Sequence, residues 1–238
     1  MNYKISVVIR TYNEQKHIGE VLESLKKQTY KNYEILIVDS GSTDRTLEIA
    51  SKYNVKVVHI KKSDFNYSYA SNVGVQNVSG ELVSFLSGHS VPVKESFLSD
   101  INNVFQDERV GGCYGDVVAL PDGSWIEKLY NRLGYIKNKI LCDKSGIQLE
   151  YAIHPGILSC NNACIRRDLL IRHPFAIELG RGGEDVGVAY RIIQDGYYIA
   201  RVPELLVMHS HGSGLKKFIQ EHKAWKSMWQ DIQNYIKE

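Results

Sequence analysis

The fold class of this 238-residue chain is indicated most clearly by one stretch, Tyr33-Glu-Ile-Leu-Ile-Val-Asp-Ser-Gly-Ser-Thr-Asp44. Its first six residues form a mainly apolar run that predicts a buried strand. The segment from Asp39 to Asp44 is rich in residues that form turns and cap the start of a helix. Because a strand that passes through a polar turn into a helix is half of a βαβ unit, this stretch predicts an α/β fold.

The same succession of strand, polar loop and helix occurs on both sides of this stretch. The predicted strands are Lys4–Ile9, Tyr33–Val38, Val55–Ile60 and Leu82–Leu86. Apolar residues at helical spacing predict helices over Ile18–Leu25, Leu47–Ala50, Tyr67–Gln76 and Lys94–Phe105. Strands that alternate with helices in this way predict a mainly parallel central sheet flanked by helices.

The second half of the chain has a less regular pattern. The predicted strands are Val110–Leu120, Tyr198–Val202 and Leu205–Met208, and the predicted helices are Trp125–Lys139, two that begin near Arg167 and Glu184, and Leu215–Ile236. The pattern over Ile140–Pro155 is ambiguous. Since no repeat or linker interrupts the chain, we predict a single domain over residues 1–212 and a C-terminal amphipathic helix over residues 213–238.

The composition excludes several classes of function. A content of 43% hydrophobic and 24% charged residues is ordinary for a globular protein, and a net charge of +2 is too small to indicate nucleic-acid binding. No apolar run approaches the roughly 18–20 residues of a membrane span, and no signal-peptide pattern precedes the first strand. These features predict a cytoplasmic protein. Its four cysteines lack zinc-site spacing and are expected to be reduced.

Three polar loops directly follow predicted strands of the first half. In open α/β sheets, ligands bind beyond the carboxyl ends of the strands, so these loops are expected to line one cleft. Their polar residues are Thr11, Asn13, Glu14, Asp39, Asp44, Ser87 and His89. The alternative is that these residues only form the turns and helix caps that any α/β fold requires.

Several motifs, taken in order, resemble those of family 2 glycosyltransferases over residues 4–212. They are Val7-Val-Ile-Arg-Thr-Tyr-Asn-Glu14, Tyr33 to Asp44, Asn72-Val-Gly74, Ser79-Gly-Glu81, Phe85-Leu86, Gly183-Glu-Asp185 and His209-Ser-His211. The resemblance implies a GT-A fold, a nucleoside-diphosphate sugar donor and a glycan or glycolipid acceptor. It also implies a nucleotide-sugar-binding half over residues 1–110 and an acceptor and catalytic half over residues 111–212.

The resemblance assigns the loops of the first half to the donor. Thr11, Asn13, Glu14 and Asp39 would contact the base and ribose, and Ser87 and His89 would lie near the diphosphate. The carboxylate of Asp39 is also suited to capping the turn that follows it, and the sequence leaves both roles open.

The loop after the fourth predicted strand departs from the family pattern. The family usually has an Asp-x-Asp motif there that holds a divalent metal, Mn²⁺ or Mg²⁺, whereas this chain has Ser87-Gly-His89. His89 could bind the metal together with His209 or His211, or bind the diphosphate as a cation without metal, or mark an inactive site. His209 and His211 would point to the same side if they lie on a strand. If they lie in a loop, we expect only one to reach the site, and His209 is the better placed.

The segment Gly182-Gly-Glu-Asp-Val-Gly187 places two carboxylates at a predicted helix N-terminus. Sugar transfer requires a group that takes the proton of the acceptor hydroxyl, and a carboxylate can do so. Plain helix capping is the alternative. The resemblance implies that Asp185, with Glu184 beside it, is the catalytic base of a single displacement with inversion at the anomeric carbon.

The remaining candidates concern the acceptor and the C-terminal helix. Trp125, Tyr130, Tyr135 and Tyr151 are suited either to stacking on sugar rings or to packing in the core. The last helix is basic and amphipathic, which fits peripheral contact with an anionic membrane, packing on its own domain or a subunit contact. Its apolar face carries Leu215, Phe218, Ile219, His222, Trp225, Trp229, Ile232 and Ile236. The alternative to an enzyme is a non-catalytic module that binds nucleotide sugars or a partner and has a degenerate metal site.

Overall fold

A computed structural model of the chain describes residues 1–180, 182–212 and 214–237, and only the backbone of part of the last helix. The strands are β1 (Ile5–Thr11), β2 (Tyr33–Asp39), β3 (Lys56–His59), β4 (Leu82–Ser87), β5 (Val91–Pro92), β6 (Val110–Tyr114), β7 (Val117–Val118), β8 (Gln148–Glu150), β9 (Asn162–Arg166), β10 (Tyr198–Arg201) and β11 (Val207–Met208). The α-helices are α1 (Ile18–Lys26), α2 (Thr46–Ala50), α3 (Tyr67–Gln76), α4 (Phe97–Val104), α5 (Trp125–Leu141), α6 (Arg167–Arg172), α7 (Glu184–Gln194) and α8 (Leu215–Lys237).

Eight of these strands form a central sheet in the order β3-β2-β1-β4-β9-β6-β10-β8. The first four run parallel to one another, as do β6 and β10, whereas β9 is antiparallel to both of its neighbours. A small second sheet has the order β5-β11-β7. The predicted α/β fold with a mainly parallel central sheet is confirmed.

The core forms one layer on each face of the central sheet. Alternate residues of β1 enter different layers, Val7 and Ile9 on one face and Val8 on the other. Helices α1 and α4 cover the first layer, and α3, α6 and α7 cover the second. α5 contributes no residue to either cluster of described residues.

The predicted strand over Val110–Leu120 is wrong as a single strand, because it is interrupted at Gly115 and Asp116 and its two pieces, β6 and β7, belong to different sheets. A Cβ atom at Gly115 would lie 1.6 Å from the carbonyl oxygen of Leu205, so only glycine permits this close approach. The side chain of Asn162 stabilises this interruption by donating to the carbonyls of Asp116 and Leu205, at 3.1 and 2.6 Å.

Three strands were not predicted from the sequence, and one of them, β8, lies in the segment whose pattern was ambiguous. β9 has only five residues, and its terminal Asn162 and Arg166 make it look like a polar connection. β5 has two residues, and it exists because it pairs with β11. All three strands depend on partners far away in the sequence, which hydrophobic periodicity does not detect.

The C-terminal half of α8 packs on its own domain. Ile232 is buried in the second core layer, and Trp229, Tyr235 and Ile236 pack against it. The side chains of Phe218, Ile219, His222 and Trp225, which the sequence places on the same face, lie outside the described residues. Among the described residues, no helix combines the length and the apolar character needed to cross a bilayer.

Candidate active site at the carboxyl edge of the sheet

The three polar loops that follow β1, β2 and β4 lie side by side, as the sequence predicts. In the strand register, Thr11 is paired with Asp39, and Arg10 is paired with Ser87. Because these strands are parallel neighbours, their carboxyl ends meet at one edge. The candidate donor-binding residues are thereby brought together.

The loops after β1 and β2 hold each other by side-chain to backbone hydrogen bonds. Asn13, with a φ of 55°, accepts from the backbone N–H of Thr43 at 2.8 Å, and its own N–H donates to the hydroxyl of Ser42 at 3.0 Å. The N–H of Glu14 donates to the Thr46 hydroxyl at 2.7 Å. The polar residues of this edge therefore form a rim whose two loops are joined by hydrogen bonds.

Asp39 is completely buried at the base of this rim. Its carboxylate accepts hydrogen bonds from the backbone N–H groups of Gly41 and Ser42, at 3.0 and 2.9 Å, and from the hydroxyls of Thr11 and Ser42. These four donors occupy the roughly four lone-pair positions of a carboxylate. The arrangement is the turn-capping role that the sequence left open, and a direct contact of Asp39 with a nucleotide stays a prediction.

Three histidines converge beside the loop after β4. The candidate ligand atoms of His89, His209 and His211 all lie within 4.8 Å of one another. The rings of His89 and His209 are stacked with centroids 4.5 Å apart, and the ring of His211 lies edge-on to both. His209 and His211 follow β11 and are not part of a strand, yet both reach the cluster, so the expectation that only one would reach from a loop is wrong.

Two of these imidazoles are oriented by a polar group behind the ring. Nδ1 of His89 lies 2.9 Å from Oε1 of Glu14, and Nδ1 of His209 lies 3.0 Å from the hydroxyl of Ser90. Nε2 of His89 is buried without a hydrogen-bond partner among the described residues. Burial lowers the pKa of His209 well below its ordinary value, and His89 and His211 lower it further, so this imidazole is neutral.

The donor set fits a first-row divalent metal. Metal-binding histidines characteristically use one ring nitrogen for the metal and the other for an orienting partner such as a carboxylate, which is the arrangement of Glu14 and His89. Neutral imidazole suits Fe²⁺, Ni²⁺, Cu²⁺ and Zn²⁺ and binds Mn²⁺ less well than a carboxylate does, whereas Mg²⁺ prefers oxygen ligands. Of the two metals expected from the sequence, the three histidines suit Mn²⁺ better than Mg²⁺.

The predicted catalytic carboxylates lie at the start of α7. Gly182 and Gly183, with φ values of 135° and 96°, lead the chain into the helix. Glu184 is buried, and its Oε1 lies 3.5 Å from Nη1 of Arg10. The same guanidinium donates to the carbonyl of Cys160 at 3.2 Å. Because Arg10 stands near the carboxyl end of β1, it fixes the α7 N-terminus beside the donor-binding loops.

Asp185 has an environment suited to proton transfer. Burial, and then repulsion from Glu184, raise the pKa of Asp185 to about 7, although the N–H of Val186, the charge of Arg10 and the N–H of Cys160 favour the ionised form. A carboxylate that is half protonated near neutral pH can accept a proton and later release it. The two aspartates therefore differ in their surroundings. The carboxylate of Asp39 accepts four hydrogen bonds, whereas the pKa of Asp185 is raised to about 7.

Arg10 and Ser90 were not identified as site residues from the sequence. A signal existed for Arg10, because it is a charged residue near the end of an otherwise apolar strand. Ser90 has no such signal, since only the fold brings it to His209.

None of the four aromatic candidates for the acceptor face is buried in the core. Trp125, Tyr130 and Tyr151 are exposed, which excludes core packing for these three. The hydroxyl of Tyr135 donates to Glu204 at 2.9 Å. Their role in sugar stacking stays a prediction.

Residues 6–173 match the model of the family described as Glycosyl transferase family 2. The chain belongs to this family. The match covers β1 to α6 and includes every loop that lines the first half of the site.

Individual proteins that resemble this chain share between 20% and 26% of its sequence in the three examples that follow. The O-antigen chain rhamnosyltransferase RfbN of Salmonella typhimurium is 26% identical over 210 residues, which make up 87% of this chain and 67% of that protein. The mannosyltransferase PcManGT of Pyrobaculum calidifontis, solved with GDP-Man and Mn²⁺, has a TM-score of 0.66 at 22% identity over 88% of this chain and 57% of its own. Glucosyl-3-phosphoglycerate synthase of Mycobacterium tuberculosis, solved with Mn²⁺, UDP and phosphoglyceric acid, has a TM-score of 0.67 at 20% identity. The match covers 97% of this chain and 78% of the synthase chain. These likenesses confirm the GT-A fold, and the chain spans about two thirds of the rhamnosyltransferase.

Proposed function

We propose that this chain is an inverting glycosyltransferase that moves a sugar from a nucleoside diphosphate to a hydroxyl of a glycan or glycolipid in the synthesis of a bacterial-type surface glycan. The observation that carries the proposal is the raised pKa of Asp185 at the edge of the sheet where the donor loops converge. Membership of the family and the similarity to a rhamnosyltransferase of O-antigen synthesis support it.

In the proposed reaction, the acceptor oxygen attacks the anomeric carbon from the side opposite the diphosphate. The new bond from carbon to acceptor oxygen forms as the bond from carbon to diphosphate oxygen breaks. The electron pair leaves with the nucleoside diphosphate, and the acceptor proton passes to the carboxylate of Asp185. A single displacement inverts the anomeric configuration. Glu184 and Arg10 act as positioning residues, because they hold the N-terminus of α7.

We assign the donor to the loops after β1, β2 and β4. Thr11, Asn13 and Glu14 lie on the rim where the base and ribose would bind, and Ser87 ends the strand next to the cluster of histidines. His89, His209 and His211 would hold a divalent metal. When bound, such a metal neutralises the charge that develops on the leaving diphosphate.

The decisive experiment compares Asp185→Asn with Asp168→Asn, which changes an exposed aspartate in the first turn of α6. Transfer is assayed with a panel of uridine, guanosine and thymidine diphosphate sugars, and nucleotide binding is followed by thermal shift with Mn²⁺. We expect Asp185→Asn to lower kcat by roughly 10²–10⁴-fold, with the thermal shift retained, and Asp168→Asn to leave both unchanged.

Two results would contradict this proposal in different ways. Full turnover of the Asp185→Asn variant would exclude Asp185 as the base. If no nucleotide in the panel raises the melting temperature of the wild-type protein, the result favours the alternative hypothesis that the chain is a non-catalytic, partner-binding module with a degenerate metal site.

The peripheral membrane contact expected of α8 stays a prediction, because most side chains of the first half of this helix lie outside the described residues. The second half packs on α7 through Ile232 and its neighbours, which supports the alternative of packing on the domain. A cytoplasmic location is consistent with the proposed use of nucleotide sugars as donors.

A further inference from the structure

The helix α5 has its polar face turned inward. Glu127, the one buried residue of this helix, accepts from the N–H of Ser124 at 2.9 Å and from the N–H of His211 at 3.0 Å. Asn138 donates to Asp116 at 2.8 Å and accepts from Arg201 at 2.7 Å. Hydrogen bonds and not apolar burial therefore hold α5 on the domain.

The opposite face of α5 is apolar and faces solvent. Its side chains are Trp125, Leu129, Leu133, Ile136 and Ile140, which are 66%, 48%, 59%, 45% and 77% exposed. At about 100° per residue, these five positions fall within about 80° of the helix circumference. We call them the α5 stripe. Exposed apolar residues that are continuous along a helix mark an interaction surface, whereas single exposed ones do not.

Positive charge borders the α5 stripe on both sides. Arg132 and Lys128 lie along one border, Lys137 lies along the other, and all three are exposed. Glu127 is the only acidic residue in the sequence of α5, and it is turned inward. The surface offered by this helix is therefore apolar in the middle and cationic at its margins.

We propose that the α5 stripe binds the surface of an anionic lipid bilayer, with α5 lying in the plane of the interface. Apolar side chains enter the boundary between headgroups and acyl chains, and the bordering cations pair with lipid phosphates, as in other interfacial amphipathic helices. A second copy of the chain fits this face poorly. Two α5 helices packed through their stripes would bring cations of like sign together with no exposed acid on either helix to compensate.

The position of α5 gives this contact a consequence for the proposed function. The hydrogen bond between Glu127 and the N–H of His211 ties the first turn of α5 to the cluster of histidines. A bilayer bound to the stripe would therefore lie close to the active-site edge. If the proposed transfer is correct, this placement favours an acceptor that is anchored in the same membrane by a lipid.

The test is co-sedimentation of the whole protein with vesicles, without donor or acceptor. We expect binding to vesicles of equal phosphatidylglycerol and phosphatidylcholine, and much weaker binding to phosphatidylcholine alone or at high salt. The double variant Leu133→Gln, Ile136→Gln should weaken binding by roughly tenfold or more. The matched control is Ile171→Gln, Ile177→Gln, which changes two similarly exposed isoleucines, 60% and 52%, outside α5 and should bind as the wild type.

A charge variant, Arg132→Glu with Lys137→Glu, should lose binding to the anionic vesicles at low salt. Equal binding by the stripe variant and its control, or no preference of the wild type for anionic vesicles, would overturn the proposal. So would a lipid-free dimer that becomes monomeric in the stripe variant in sedimentation velocity. Because no sugar transfer is measured, each of these results leaves the proposed catalytic function intact.

Discussion

At the scale of single residues, the environment of each carboxylate decides its chemistry. Asp39 and Asp185 both lie at the carboxyl edge of the sheet, Asp39 fully buried and Asp185 partly buried. Four hydrogen-bond donors surround Asp39. In Asp185, burial and the charge of Glu184 outweigh two backbone N–H donors and the charge of Arg10, so the pKa is raised to about 7. The residue suited to accept a proton is therefore Asp185.

The pH dependence of transfer follows from this pKa. Asp185 acts only when ionised, and burial raises its pKa to about 7. We expect kcat/KM to fall about tenfold per pH unit below neutrality and to level off above it, because protonation removes the base. The measurement is the pH profile of kcat/KM with one saturating metal concentration. A profile that stays flat down to about pH 5 would show that another group takes the proton.

We expect metal binding to depend on the three histidines and on the carboxylate behind one of them. His89→Ala removes a ligand and should weaken Mn²⁺ and Co²⁺ binding at least as much as Glu14→Gln, for which we expect roughly 10–100-fold. His173→Ala is the control, because His173 pairs with Asp195 on a different surface. Isothermal titration calorimetry measures the three affinities. Unchanged metal affinity in His89→Ala, with impaired nucleotide binding, would support the metal-free role of His89 as a cation.

At the scale of elements, α7 is positioned by backbone conformations that only glycine adopts easily. Gly183 has a φ of 96°, and a Cβ atom there would lie 2.5 Å from Cδ1 of Ile232 in α8. The absence of a side chain thus allows α7 and α8 to meet while the helix still begins at Glu184.

Replacing this glycine should loosen both helices. We expect Gly183→Ala to lower the free energy of unfolding by about 1–3 kcal/mol, through backbone strain and the clash with Ile232. Gly134→Ala in α5 is the matched control, because nothing lies within 4 Å of its Cβ position and alanine favours a helix by about 0.5–1 kcal/mol. Urea denaturation measures both changes. Equal stability of the two variants would contradict the steric argument.

At the scale of the whole molecule, the end of α8 is part of the domain core. Ile232 is 3% exposed and lies in the same layer as residues of β1, α3 and α7. The C-terminal helix therefore stabilises the half of the molecule that carries the proposed base. The α5 stripe differs from the end of α8, because its apolar side chains are exposed to solvent along the whole length of the helix.

Truncation of this core contact should affect the entire fold. We expect Ile232→Ala to lower the free energy of unfolding by about 2–4 kcal/mol, because it leaves a cavity in a packed layer. Gln233→Ala changes the exposed neighbouring position and should cost less than about 0.5 kcal/mol. Chemical denaturation followed by far-UV circular dichroism measures the whole transition. A small effect of Ile232→Ala would mean that α8 detaches from the domain in solution.

Much of the donor side could be read from the amino-acid sequence. Apolar runs that end in polar loops predicted β1, β2 and β4, and with them the edge that carries Thr11, Asp39 and Ser87. The physical reason is that parallel strands joined by helices present all their carboxyl ends on one side of a sheet. The departure from the metal motif at Ser87 and His89 is also a property of the sequence alone.

Only the tertiary structure decided how distant segments meet at that edge. The bend after β11 brings both His209 and His211 to His89, and Arg10 reaches Glu184 across the sheet. The pKa of Asp185 depends on its burial and on the charges of Glu184 and Arg10, and the exposure of the α5 stripe depends on which face of the helix finds polar partners. Local sequence patterns report periodicity along the chain, whereas these properties arise from desolvation and proximity between residues that the chain keeps far apart.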